Sequence, residues 1–86
     1  MGMDTVELVM NVEKTFDIDI SNRDAEGFRF VGDIHNQVIQ TLRDRGQLVD
    51  EAAIWETLRQ LIIDQLGVRP DQVTPTADIL ADLGAD

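Results

Sequence analysis

Apolar residues recur at helical spacing in three long stretches of this chain, and nowhere do they alternate long enough to build a sheet. The first stretch runs from Asp4 to Phe16. Thr5, Leu8, Val9, Val12 and Phe16 share one face, with Glu7, Asn11 and Lys14 opposite. Asp4 and Glu7 have the spacing of a capping box, which predicts a helix start with carboxylates in the turn that the helix dipole favours. Val6 and Met10 leave the stripe and flank the acidic row. Carboxylates and adaptable hydrophobes on one exposed strip mark this helix as a docking surface.

The second stretch spans roughly Val31 to Arg43, with Val31, Ile34, Val38, Ile39 and Leu42 on its apolar face. Arg43 and Arg45 sit where the dipole favours cations, and Gly46 is placed to end the helix. The third is expected to be capped by Asp50 and to run to Leu66, burying Ile54, Leu58, Leu61, Ile62 and Leu66 before Gly67 stops it in a left-handed turn. Trp55 and Ile63 fall off this stripe and are read as buried at the helix edge.

The segments between are shorter and less regular. In Asp17-Ile-Asp-Ile20, Ile18 and Ile20 read as plugs rather than as a strand. Ser21 or Asn22 caps a short segment from Arg23 to about Gly27, expected to be a single weak, mobile turn. Phe28-Arg-Phe30 leads into the second long helix, and Gln47-Leu-Val49 connects the second to the third. From Val68 onward Pro70 and Pro75 preclude a continuous helix. Val68, Val73, Ile79, Leu80 and Leu83 are spaced to fasten this long loop onto the core, with a turn of helix around Asp78 to Leu83. The fold class is therefore all-α: three long helices plus one short one, in a single domain over residues 1–86.

Composition adds limits to this picture. The chain of 86 residues is 43% hydrophobic, enough for one thin core, and it has no cysteine for a disulfide or thiolate metal site. The lack of cysteine fits a reducing cytoplasm. No long apolar run marks a membrane span or signal peptide. Seventeen carboxylates against seven basic side chains leave a net charge of −10. Such a surface repels nucleic acid and anionic lipid and steers towards basic protein patches; plain solubility is the simpler explanation of the same charge. His35 has no second histidine or cysteine to share a metal and no placed nucleophile to serve, so it reads as a surface or half-buried side chain. Neither a paired catalytic constellation nor a phosphate-cradling loop is present, so the reading is not an enzyme.

The two ends of the chain carry a resemblance. Leu66-Gly-Val-Arg-Pro-Asp-Gln-Val-Thr-Pro-Thr-Ala-Asp-Ile-Leu-Ala-Asp-Leu-Gly-Ala-Asp86 resembles the first half of an acyl carrier protein. The opening segment, from Met3-Asp-Thr-Val-Glu-Leu-Val-Met10 onward, resembles its second half. The family order is helix I, a long loop, the attachment motif Gly-x-Asp-Ser-Leu/Met, then helices II, III and IV. This chain looks circularly permuted, in the order II-III-IV-I, with the cut at the attachment motif. Residues 1–46 match the family's second half, 44–50 form a new connector, and 50–86 match the first half. Permutation leaves a helical core intact when the new ends are exposed and the old ones lay close together. A monomer is favoured, and exchange of the last long helix between two chains is the competing topology.

The resemblance implies a carrier of fatty-acid, polyketide or specialised lipid biosynthesis whose serine bears 4'-phosphopantetheine. It implies partner contacts at Asp4, Val6, Glu7, Met10, Glu13 and Asp86, directed at basic patches on synthases, reductases and the pantetheinyl transferase. Lys14 and Arg23 depart from positions that are usually acidic, which should weaken or redirect such contacts. It also implies an acyl-sheltering interior of Leu8, Val9, Val12, Phe28, Val31, Ile34, Leu58, Leu61 and Ile62, residues that equally describe a packed core. The attachment serine expected between Asp86 and Met3 is missing, and Gly2 near its place has no hydroxyl, so no cofactor is expected on this chain. An acidic interaction module or an engineered folding scaffold is the alternative. A free ammonium at Met1 or Gly2 would oppose the dipole of the first helix, whose first turn is expected to fray.

Overall fold

The computed structural model describes residues 3–85. Four α-helices succeed one another along the chain: α1 Met3–Phe16, α2 Asn22–Glu26, α3 Val31–Asp44 and α4 Glu51–Leu66. The described residues contain no strand, only a single antiparallel bridge between Phe30 and Asp78. The all-helical expectation of three long helices and one short one therefore holds.

Helix ends are where local chemistry is most visible. Asp50 caps α4 as expected, its carboxylate accepting the Ala53 N–H at 3.1 Å. Ser21 caps α2, its Oγ accepting the Asp24 N–H at 3.1 Å. Helix α2 is five residues long, with Ala25 buried on its inner side. Asp4 differs from expectation. The helix already includes Met3, so Asp4 meets the dipole from within the first turn instead of capping it.

Two of the three long helices stop on glycine, as their spacing implies. Gly46 has a φ of 78°, and two bonds close the α3 terminus: Gly46 N–H to the Arg43 carbonyl at 2.9 Å and Gln47 N–H to the Leu42 carbonyl at 3.1 Å. Gly67 ends α4 with φ 66°. At the end of α1 the same device is built on Asp17, with φ 54°, and the Ile18 N–H reaches the Glu13 carbonyl at 3.0 Å. An aspartate holds a left-handed conformation there that glycine would adopt at lower cost.

One apolar cluster draws side chains from all four helices and from the loop beyond α4. Leu8, Val12, Val31, Ile34, Val38, Leu58 and Ile62 form its driest part, each contributing about 1.5–3 kcal/mol for a fully buried large side chain. Helix α4 packs against both α1 and α3, presenting Ile54, Leu58 and Ile62 at successive four-residue steps. Ile18 and Ile20 are buried as plugs. Thr5, Phe16, Leu42, Leu61 and Leu66, on the margins of their stripes, are half-buried.

The segment after α4 departs most from expectation. Pro70–Gln72 forms a 3-10 turn where the apolar pattern predicts only loop. Proline suits the first position of such a turn, because its N–H would have no partner there. Further on, Val73, Ile79 and Leu83 are buried as expected, but Leu80 is 63% exposed. The chain turns helically from Asp78, so residues four apart, Ile79 and Leu83, face inward together while Leu80 faces out. Ala77 and Ala85, which the apolar pattern does not single out, are buried beside them.

Candidate functional site

The outer face of α1 is set by its inner one. Once Leu8, Val9 and Val12 are committed to the core, helical geometry turns Asp4, Val6, Glu7 and Met10 outward. All four are exposed, Val6 at 36% and Met10 at 55%. Two uncovered apolar side chains among carboxylates form a surface suited to a partner that is apolar and basic. Glu13, placed on the same strip, is half-buried, and its carboxylate accepts the Ile20 N–H at 2.9 Å, tying the α1–α2 link to the helix. Asp86, the sixth residue of the strip, lies outside the described residues, as does Gly2.

The side of α1 next to α4 is polar and internally satisfied. Asn11 donates to the Gln65 side-chain oxygen, and Gln65 in turn donates to the Glu7 carboxylate at 3.3 Å. The pattern of α1 puts Asn11 on the solvent side; it is half-buried because this bridge crosses to α4. An open groove of about 770 Å³ runs beside it, with Asn11, Lys14, Thr57, Gln60 and Leu61 among its walls. Leu61 is half-buried for that reason. Of the residues read as an acyl-sheltering interior, Leu8, Val9, Val12, Val31, Ile34, Leu58 and Ile62 are buried in the central cluster, and Phe28 and Leu61 are packed at its margin.

Among the described residues no serine stands at the head of α1. Ser21, the sole serine of the chain, is spent capping α2. Thr41 and Thr57 bond back to the Gln37 and Ala53 carbonyls of their own helices. Thr5 is half-buried within the first turn of α1. Nor do the described residues hold any group of three or more His, Asp or Glu side chains arranged for a metal ion. Among them, no helix is long and apolar enough to cross a membrane.

His35 is half-buried between α3 and α4. Its Nε2 donates to the Glu51 carbonyl at 3.0 Å, and its ring meets Trp55 edge-on with centroids 5.3 Å apart. Trp55 is thereby covered at the helix edge, as its position off the stripe implied. Lys14 and Arg23 are exposed and form no ion pair with any described residue.

A second cluster, which the sequence pattern does not reveal, joins the α2–α3 link to the loop after α4. Arg29 is its centre. Its N–H donates to the Asp33 carboxylate at 2.9 Å, its carbonyl accepts the Ile79 N–H at 2.8 Å, and its Nε donates to Asp78 at 3.2 Å. Asp78 also accepts the Leu80 and Ala81 N–H groups at 3.0 and 2.9 Å, and Asp82 accepts the Asp78 N–H at 2.8 Å. The Ala81 N–H and the Arg29 guanidinium, in that order, hold the Asp78 carboxyl below the usual carboxylate range. The only signal in the sequence is the unusual Gly27-Phe-Arg-Phe30, whose partner lies 49 residues away.

The described residues form a small all-helical bundle with an exposed strip of acidic and apolar side chains on α1. Among known proteins, the chain resembles the acyl carrier proteins. It is 47% identical over 38 residues to an acyl carrier protein of Akkermansia muciniphila, a match covering 44% of this chain and 48% of that protein. The chain thus aligns with about half the length of this curated relative. No family model matches, and no solved structure matches.

Proposed function

We propose that this chain is a carrier-type domain of lipid or polyketide biosynthesis in permuted helix order, with α1, α2, α3 and α4 standing for family helices II, III, IV and I. It is not an enzyme, and it acts in the cytoplasm. The observation that carries the reading is the 38-residue likeness covering only about half of each protein. A chain whose two halves match in reversed order yields a partial alignment of this kind. The helix lengths support it too: a short α2 lies between α1 and α3, and α4 runs into a long loop ending in Asp-Leu-Gly-Ala-Asp.

In this reading α1 is the recognition helix, and Asp4, Val6, Glu7, Met10, Glu13 and Asp86 face basic patches on biosynthetic enzymes. The 86 residues carry no phosphopantetheine, because their one serine caps α2. The closed monomer is supported by the link between α3 and α4, which Arg43 and Glu51 bridge at 2.6 Å. The test is mass spectrometry after incubation with coenzyme A and a pantetheinyl transferase. The chain should keep its mass. A reordered chain, with 50–86 joined through serine to 3–46, should gain the mass of the arm. Failure of the reordered chain to fold or to be modified would sink the permuted-carrier reading. Modification of the chain itself would sink the claim that it carries no arm.

A further inference from the structure

We propose that Arg29, Asp78 and Asp82 form an ionic latch that straps the loop after α4 onto the start of α3, and that this strap opens in acid while the helical core stays folded. The inference does not depend on the carrier reading. It begins from Arg29, which neither the core nor the exposed strip of α1 uses.

The loop has an unusual task. Its Pro75 and Ala77 carbonyls accept the Gly32 and Val31 N–H groups at 2.8 and 3.0 Å. These are among the first donors of α3, which have no partner inside the helix. The N-terminus of α3 is therefore closed by the loop, and the loop is held by that terminus. Gly32 makes the approach feasible, since a Cβ there would lie 2.8 Å from the Pro75 carbonyl oxygen. The loop has few apolar anchors of its own beyond Val73, Ala77, Ile79, Leu83 and Ala85.

What fixes the loop in register is the polar cluster. Asp78 is the joint, because one carboxylate serves both sides. One oxygen accepts from Leu80 and Ala81 within the loop, and the other accepts from Arg29 across the junction. The groups facing it are Arg29 from the α2–α3 link and Asp82 from its own turn. Asp33, at the start of α3, holds Arg29 through the Arg29 N–H. Protonating Asp78 removes its charge from all three contacts at once. Its carboxyl ionises below the usual range in the folded protein, so the latch is complete above the ordinary carboxylate pKa of about 4. The contribution is lost as pH falls below that value and through the folded-state pKa. The core contains no buried polar or charged side chain among the described residues and gives acid no comparable handle.

Backbone hydrogen exchange, corrected for the intrinsic pH dependence of exchange, separates the strap from the core. The Val31, Gly32 and Ile79 amides report the strap, and the Leu58 and Ile62 amides report the core. Between pH 7 and pH 3 the strap amides should lose protection about tenfold more than the core amides, the scale of one charged hydrogen bond. Asp78→Ala at pH 7 should reproduce that loss, with Leu58 and Ile62 changed far less. Arg29→Ala removes only an exposed pair and should raise strap exchange by no more than about fivefold. Asp78→Asn keeps an acceptor for Leu80 and Ala81 but cannot titrate there, so it should flatten the acid response. Strap and core amides losing protection in step, in acid and in Asp78→Ala alike, would overturn the proposal. So would an unaltered acid response in Asp78→Asn.

Discussion

Helix α4 and the loop beyond it cover the same core by opposite means. The helix satisfies its backbone internally, needs only its two caps, and offers Ile54, Leu58 and Ile62 as a regular apolar edge. The loop buries Val73, Ala77, Ile79, Leu83 and Ala85, two of them small, and beyond its local turns its backbone is tied to the rest of the fold through Arg29, Val31 and Gly32. Coverage by a helix is redundant along its length, because each turn repeats the last. Coverage by the loop is a chain of single contacts, and the loss of one releases its neighbours. The helix is therefore sensitive to volume and the loop to geometry and charge.

Three substitutions probe that contrast. Leu58→Ala, at a fully buried site on the helix that meets both α1 and α3, should cost about 2–5 kcal/mol in denaturant unfolding, from lost transfer energy and the cavity left behind. Leu58→Met, which keeps the volume, should cost less than about 1.5 kcal/mol. A Leu58→Ala loss under about 1 kcal/mol would mean that the core is looser than its burial implies. Gly32→Ala tests the loop side. The added methyl must displace the Pro75 carbonyl, and the expected cost is about 1–3 kcal/mol. That cost should be accompanied by faster exchange at Ile79, a signature that α4 substitutions should lack. Stability unchanged in Gly32→Ala would show that the loop does not need its close approach.

The smallest effect should be a gain. Asp17 occupies a left-handed position with φ 54° at the end of α1 and places a carboxylate at the negative end of the dipole. Asp17→Gly should stabilise the protein by about 0.5–1 kcal/mol, read as a rise in melting temperature. A drop in melting temperature would mean that the Asp17 side chain holds the turn by some contact worth more than the backbone cost. The Arg45 guanidinium, which donates to the Asp17 carbonyl at 2.6 Å, should be unaffected because its acceptor is backbone.

The exposed strip of α1 and the strap differ in how far sequence could find them. Val6 and Met10 announce themselves by breaking the stripe of α1, and their exposure is dictated by the side that Leu8, Val9 and Val12 must face. Glu13 belongs to the same strip, yet its bond to the Ile20 N–H depends on how the chain turns after Asp17. The strap carries no comparable signal. Three aspartates in an acidic chain look like solvated surface until Arg29 is brought beside one of them.

The chain's own pattern determined the four helices, their apolar faces, the cap at Asp50, and the stops at Gly46 and Gly67. These depend on residues within a turn or two of one another, where 3.6-residue periodicity and backbone preference act directly. Tertiary structure alone decided that Asn11 bridges to Gln65, that Leu80 points to water, and that Arg29 holds the loop to α3. Each of those outcomes rests on partners about 50 residues apart or on the path of an irregular loop. Sequence spacing carries no such information, because the contacts exist only after the helices have packed.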